Sequence, residues 1–249
     1  MVVERGFINS HHFPRAQKGA ALLVFMMLLT VGVATFLLSG MSRKSHHLSS
    51  PFHNMRILAE AKNALVAYAR LSDPDLSTDT GLNYRYLPCP DQDGDGLEET
   101  PCGTTSVEGW LPWMSLGLAP LRDASGTCLR YFVASAYKQG TATPPLISAL
   151  PNAEFTLNSS SGLVASNAVA VLIAPGSVVA AQSRSAAPGL TTECGSTAST
   201  SERNQAGNYM DAIAGINNAL APDFIVAPVS VDNINSFNDV VISILSSEL

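Results

Sequence analysis

From Ala20 to Gly40 the chain reads AALLVFMMLLTVGVATFLLSG, 21 residues without a charged side chain. A helix rises about 1.5 Å per residue, so this run would be roughly 30 Å long, close to one hydrocarbon core. A cleaved secretory signal has a shorter apolar region, about 7–15 residues, with a small-residue cleavage site behind it. Here the apolar run is longer, and LSGMS at 38–42 makes a weak cleavage site. The length therefore predicts a retained transmembrane helix over 20–40. Arg15 and Lys18 precede it and Arg43 and Lys44 follow, so the basic flanks barely favour either orientation.

The cysteines say where the rest of the chain goes. Cys89, Cys102, Cys128 and Cys194 all follow the apolar run, and none belongs to a C-x-x-C pair. That spacing argues against a zinc ribbon or a thioredoxin-like redox site. An even set in a non-cytosolic domain reads most simply as two disulfides. Of the three pairings open to four cysteines, Cys89–Cys102 with Cys128–Cys194 is favoured, because the first closes a short acidic loop. The expected placement is an amino end in the cytoplasm and the remainder in an oxidising space beyond the inner membrane.

Charge narrows the partners. Residues 41–249 carry 11 Lys+Arg against 19 Asp+Glu, a net charge of −8. Polyanion binding needs clustered cations, whereas six acids and no base lie between Arg85 and Arg122. Nucleic acid is not an expected partner.

The coarse organisation follows from periodicity. Ile57, Leu58, Ala61, Leu65 and Tyr68 recur at helical spacing, giving an amphipathic helix over 41–72 with one apolar face. Pro51 either kinks that helix or occupies its first turn. Ser72–Gly81 is rich in turn residues and ends it. Beyond lie four apolar runs rich in Val, Ile, Tyr or Phe: Cys128–Tyr137, Asn167–Gly176, Asp223–Val231 and Asp239–Leu245. Turn residues bound each of them, as strands require. The Ser/Thr/Gly-rich segment 183–208 reads as a loop tied down by Cys194.

Chemistry is concentrated in CPDQDGDGLEETPC, residues 89–102, where Asp91, Asp93, Asp95, Glu98 and Glu99 crowd into nine positions. Alternating acids followed by Gly96 form the first half of a calcium-loop pattern, D-x-[DN]-x-[DN]-G. Hard oxygen donors alone suit calcium better than a transition metal. The pattern then breaks: the bidentate acid of a helix–loop–helix site would fall at Cys102, and Glu98 and Glu99 come earlier. The expectation is a compact calcium loop without flanking EF-hand helices; the plain alternative is a solvated acidic turn.

Enzyme signatures are sparse. All five histidines fall within the first 53 residues. The rest therefore lacks a Ser-His-Asp or Cys-His site and any His-ligated metal. No nucleotide-binding glycine loop occurs. Carboxylate-only hydrolysis needs just two suitably spaced acids and is the remaining enzymatic reading.

Lys18-Gly19-Ala20, with its basic leader, junction glycine and long apolar run continuing into an amphipathic helix, resembles the class III signal of type IV pilins and type II secretion pseudopilins. The resemblance implies cleavage by a prepilin peptidase between Gly19 and Ala20, N-methylation of Ala20, and retention of the apolar segment as an anchor. It implies an α+β fold. A long amino-terminal helix, transmembrane in its first half, would pack on an antiparallel β-rich head. The divisions would be a leader (1–19), two halves of a stem helix (20–40 and 41–72) and a periplasmic head (73–249). The head adds RYLPCPDQDGDG and a D-x-x-G-x-x-L-x-Y echo at Asp123, Gly126, Leu129 and Tyr131. Most pilins carry Glu five residues into the mature chain, where this one has Val24. Within the family that loss is similar to the K-type minor pseudopilins, so the resemblance favours a minor, non-enzymatic subunit whose partners are other pilins. The competing expectation is a permanently anchored periplasmic protein whose calcium-stabilised head binds a ligand without assembling.

Overall fold

The computed structural model describes residues 18–71, 86–100, 102–103, 105, 107–138, 154–179, 182, 184, 194, 205–230 and 236–249; within the first helix, side chains are described for 24–31 and from 51 onward. The chain divides into two compact units, Met1–Leu48 and Ser49–Leu249. Helix α1 (Lys18–Leu71) supplies the described part of the first unit and, from Ser49, the opening element of the second; Pro51 lies inside it.

In the second unit α1 behaves as its periodicity predicts. Ile57, Leu58, Ala61, Leu65 and Ala69 are buried, whereas Arg56, Glu60, Asn63 and Arg70 are exposed. The buried set follows the three-and-four spacing that places residues on one helix face. Each fully buried leucine contributes roughly 1.5–3 kcal/mol.

The strands are β1 (Val107–Trp110), β2 (Arg130–Val133), β3 (Phe155–Ser159), β4 (Gly162–Ala174), β5 (Ala212–Ile213), β6 (Ile216–Asn217), β7 (Asp223–Val226) and β8 (Val240–Leu245). Six form one sheet in the order β1-β2-β4-β3-β7, with β8 also paired to β4; β5 and β6 make a separate hairpin. The organising strand is β4. Its first half is largely exposed and pairs with β3, and its second half, Ala168–Ala174, is buried throughout and pairs with β2 and β8. Seven consecutive buried positions require cover on both faces, which is why this stretch reads as an unbroken apolar run. Between the halves Asn167 has φ 61°, and the register slips on both sides of it, as at a bulge. Phe132, Phe155 and Phe224 meet edge to face and tie β2, β3 and β7 together.

The carboxyl end closes on the helix. Lys62 Nζ donates to Ser243 O and Glu248 Oε2, both at 2.9 Å, and Arg70 Nη2 donates to Glu248 O at 3.3 Å. The amide of Leu245 donates to Glu248 Oε2 at 2.8 Å, and Leu249 is buried.

The expected type IV pilin-like fold, a half-transmembrane stem helix packed on an antiparallel head, is corrected by these observations. Among the described residues no helix is long and apolar enough to cross a membrane. The chain divides at Leu48, and only the part of the helix after it shares a compact unit with the sheet. Nor is the sheet antiparallel throughout: β3 and β7 run parallel, Thr156 opposite Asp223 through Ser159 opposite Val226. Tight turns force antiparallel neighbours, but β7 arrives from a distant part of the chain and no hairpin fixes its direction.

Candidate metal centre

The acidic loop is built on Asp91. Its backbone bridges β1, with N–H to Trp110 O at 3.0 Å and O to Trp110 N–H at 2.8 Å. The buried carboxylate then organises the turn: Oδ1 accepts the amides of Asp93 (3.1 Å) and Gly94 (2.6 Å), and Oδ2 accepts that of Gly96 (2.8 Å). Burial pushes the Asp91 carboxyl up to about 6, against the pull of the Gly94 and Gly96 amides; the Asp93 and Asp95 charges push the same way as burial.

Asp91, Asp93 and Glu99 come together, each presenting an oxygen within 4.8 Å of the others. Each carboxylate oxygen has two lone pairs. Oδ1 of Asp91 uses both on amides, whereas Oδ2 keeps one. Glu99 Oε1 accepts the Gln92 amide at 3.4 Å, and Asp93 Oδ1 accepts that of Asp95 at 3.1 Å. The three acids thus bring hard oxygen donors close enough together to hold a hard cation.

The structure does not bring Asp95 and Glu98 into that group. Asp95 is exposed and its Oδ1 accepts the Leu97 amide at 2.7 Å. Glu98 turns toward α1: Oε1 accepts the Tyr68 hydroxyl at 2.8 Å, and Oε2 accepts the Cys89 amide at 3.3 Å. Burial and the Glu98 carboxylate raise the Tyr68 phenol, keeping it protonated as the donor.

Both expected disulfides are present, Cys89–Cys102 and Cys128–Cys194. The second also reaches the loop, since the Cys194 amide donates to Gly94 O at 3.4 Å. Gly96 packs against Trp113, and its carbonyl accepts the amides of Met114 (2.8 Å) and Ser115 (3.3 Å). The loop therefore joins α1, β1, the 113–118 turn and residue 194. Of the processing residues, Gly19 and Ala20 fall in α1 with undescribed side chains, and most of the leader, residues 1–17, lies outside the described residues.

Sequence reasoning missed a second polar centre. Asp123 Oδ1 accepts the Ser125 amide (2.8 Å) and hydroxyl (2.6 Å) and the Thr127 amide (2.9 Å), while Oδ2 accepts the Gly176 amide at 2.7 Å. Arg184 donates to the carbonyls of Gly176, Asn208 and Tyr209 and lies over the Tyr209 ring. Nearby, the buried Arg130 pairs with Glu108 and stacks on Trp110, and burial lowers it to about 9. The short DASGT sequence signals the Asp123 turn. Nothing local signals its partners, which tertiary structure delivers.

Compared with protein-family models, curated proteins and solved structures, the chain matches none.

Proposed function

We propose that this chain is a non-enzymatic minor subunit of a filamentous assembly of the pilus or secretion-pseudopilus kind. The apolar helix in α1 carries the reading. Val24, Phe25, Met26, Met27, Leu28, Leu29 and Val31 are each 53–70% exposed. Consecutive residues point in every direction around a helix, so this segment is apolar on all sides. Such a helix is stable in lipid or among other apolar helices and unstable in water. The sequence around it supplies a basic leader, a junction at Gly19-Ala20 and 21 uncharged residues. The proposed partners are a prepilin peptidase, which acts at that junction, and the helices of related subunits. Val24 in place of an acid supports a minor rather than a repeating position.

Two disulfides support an oxidising compartment for the second unit. In this reading the 20–40 segment holds the unassembled subunit at the inner membrane, with the second unit in the periplasm. Asp91, Asp93 and Glu99 would hold calcium, whose part is structural: it neutralises crowded carboxylates and stiffens the junction between helix and sheet.

Mass spectrometry of the protein from its native host tests the proposal. The expected mature amino terminus is Ala20, carrying one methyl group. An intact leader, or a terminus after Gly40, overturns assembly and favours a permanently anchored calcium-dependent binding protein.

A further inference from the structure

Asp211 precedes β5 and Asp239 precedes β8, and they are only 4% and 2% exposed. Each carboxylate caps backbone in the other's segment. The Asp211 amide donates to Asp239 Oδ2 at 2.8 Å, and the Asn238 amide donates to Asp211 Oδ2 at 2.7 Å. Asn218 Nδ2, from the turn after β6, adds a second donor to Asp239 Oδ2 at 2.9 Å; Gln182 Nε2 donates to Asp211 Oδ1 at 2.6 Å. That leaves Asp239 Oδ1, buried and without a hydrogen-bond partner among the described residues.

The charges do not balance. Among the described residues Arg184, from the 182–184 segment, is the cation acting on both acids, and Asp123, from the β1–β2 connection, also draws on it. Its donors are already committed: Nε to Asn208 O, Nη1 to Gly176 O and Thr127 Oγ1, and Nη2 to Gln182 Oε1 and Tyr209 O. One guanidinium, bonded elsewhere, serves three carboxylates. A buried carboxylate with one bare oxygen beside a second carboxylate is far costlier than a neutral acid in the same place.

We infer that Asp239 is held as a neutral acid beside an ionised Asp211, so that the contact between the β5–β6 hairpin and the β8 segment is a proton-dependent clamp. Both oxygens of Asp211 accept a donor, whereas Oδ1 of Asp239 has none among the described residues, and that asymmetry selects Asp239 as the acid that keeps its proton. Burial, followed by the Asp211 charge, drives the Asp239 carboxyl well above its ordinary range. Asp211 is raised too by burial, but the Asn238 and Asp239 amides, Arg184 and Gln182 pull it back. An acid raised on folding stabilises the protonated fold. Below the unfolded value, about 3.9, both states hold the proton; above it the unfolded chain has lost the proton and the folded one has not. Stability from this group therefore falls with rising pH until the folded acid ionises.

The test uses the full chain in neutral detergent, as wild type, Asp239→Asn and Asp211→Asn. Infrared spectroscopy at pH 7.5 is expected to show the carbonyl stretch of a protonated carboxyl group in wild type and Asp211→Asn, and to lack it in Asp239→Asn. Urea unfolding from pH 5 to 8 is expected to give Asp239→Asn a shallower decline than wild type. The difference should approach tenfold in the unfolding constant per pH unit, one proton's worth. Absence of the acid band in wild type overturns the inference whatever the variants do. So does its persistence in Asp239→Asn together with its loss in Asp211→Asn, which would put the proton on Asp211.

Discussion

Replacing Gly96 by alanine tests how the acidic loop is held. Gly96 has φ +92°, a conformation that costs an L residue about 1–2 kcal/mol. A Cβ there would lie 2.4 Å from Trp113 Cε2, 2.5 Å from Nε1 and 2.7 Å from Cζ2. The ring cannot simply swing away, because Trp113 is largely buried and its neighbours Met114 and Ser115 both bond Gly96 O. Overpacking of this kind adds about 1–3 kcal/mol, so G96A should lose roughly 2–5 kcal/mol. Gly126 supplies a matched control: its φ is +87°, but nothing lies within 4 Å of its Cβ position. G126A should cost only about 1–2 kcal/mol. Urea unfolding followed by tryptophan fluorescence, in detergent and with m-values checked for equality, measures the difference. Equal losses in the two variants would refute the argument, since they would mean that Trp113 yields without cost.

Three further outcomes follow. Removing Cys128–Cys194 by double alanine substitution should cost about 4.4 kcal/mol against about 2.9 kcal/mol for Cys89–Cys102, because the loops close over separations of 66 and 13 residues; reduced-minus-oxidised stabilities of the two variants check the order. Calcium at a hundredfold excess over its Kd should add about 2.7 kcal/mol, a rise of roughly 5–10 °C in Tm that Asp93→Asn largely abolishes; no shift across millimolar calcium in calorimetry would exclude the ion. Tyr68→Phe should lose about 1–2 kcal/mol by taking a donor from Glu98, and Phe retains the ring's packing, so near-identical urea midpoints would show the bond contributes nothing.

What could be read in advance was local. The face of α1 containing Leu58, Ala61 and Leu65 follows from spacing, and the apolar runs at β2, β4, β7 and β8 from β-branched and aromatic composition. The disulfide pairing was legible because one pair closes a short loop. Strands β1 and β3 were missed because VEGW and FTLNS are short and weakly patterned, and register with β2 and β4 makes them strands. In the acidic loop, alternation alone could not say which acids converge. Asp91 could be identified as the acid that opens the loop, but the direction of Glu98 depends on a phenol from α1, about thirty residues earlier. The Asp123, Arg184, Asp211 and Asp239 network was invisible for the same reason: its members are isolated polar residues spread over more than a hundred positions.

The strand that completes the middle of the sheet is β8, which follows both α1 and β4 in sequence. Strand β8 lies along the buried half of β4, and Lys62 on α1 waits for Ser243 and Glu248. A chain emerging amino end first therefore has its helix and the organising strand in hand while both still lack cover. Apolar residues of β4 and a lysine without its acid stay open to water, or to a chaperone, until β8 and Glu248 arrive. The order of synthesis makes the arrival of β8 the committing event, and a nascent chain stalled just before β8 should be protease-sensitive throughout the second unit.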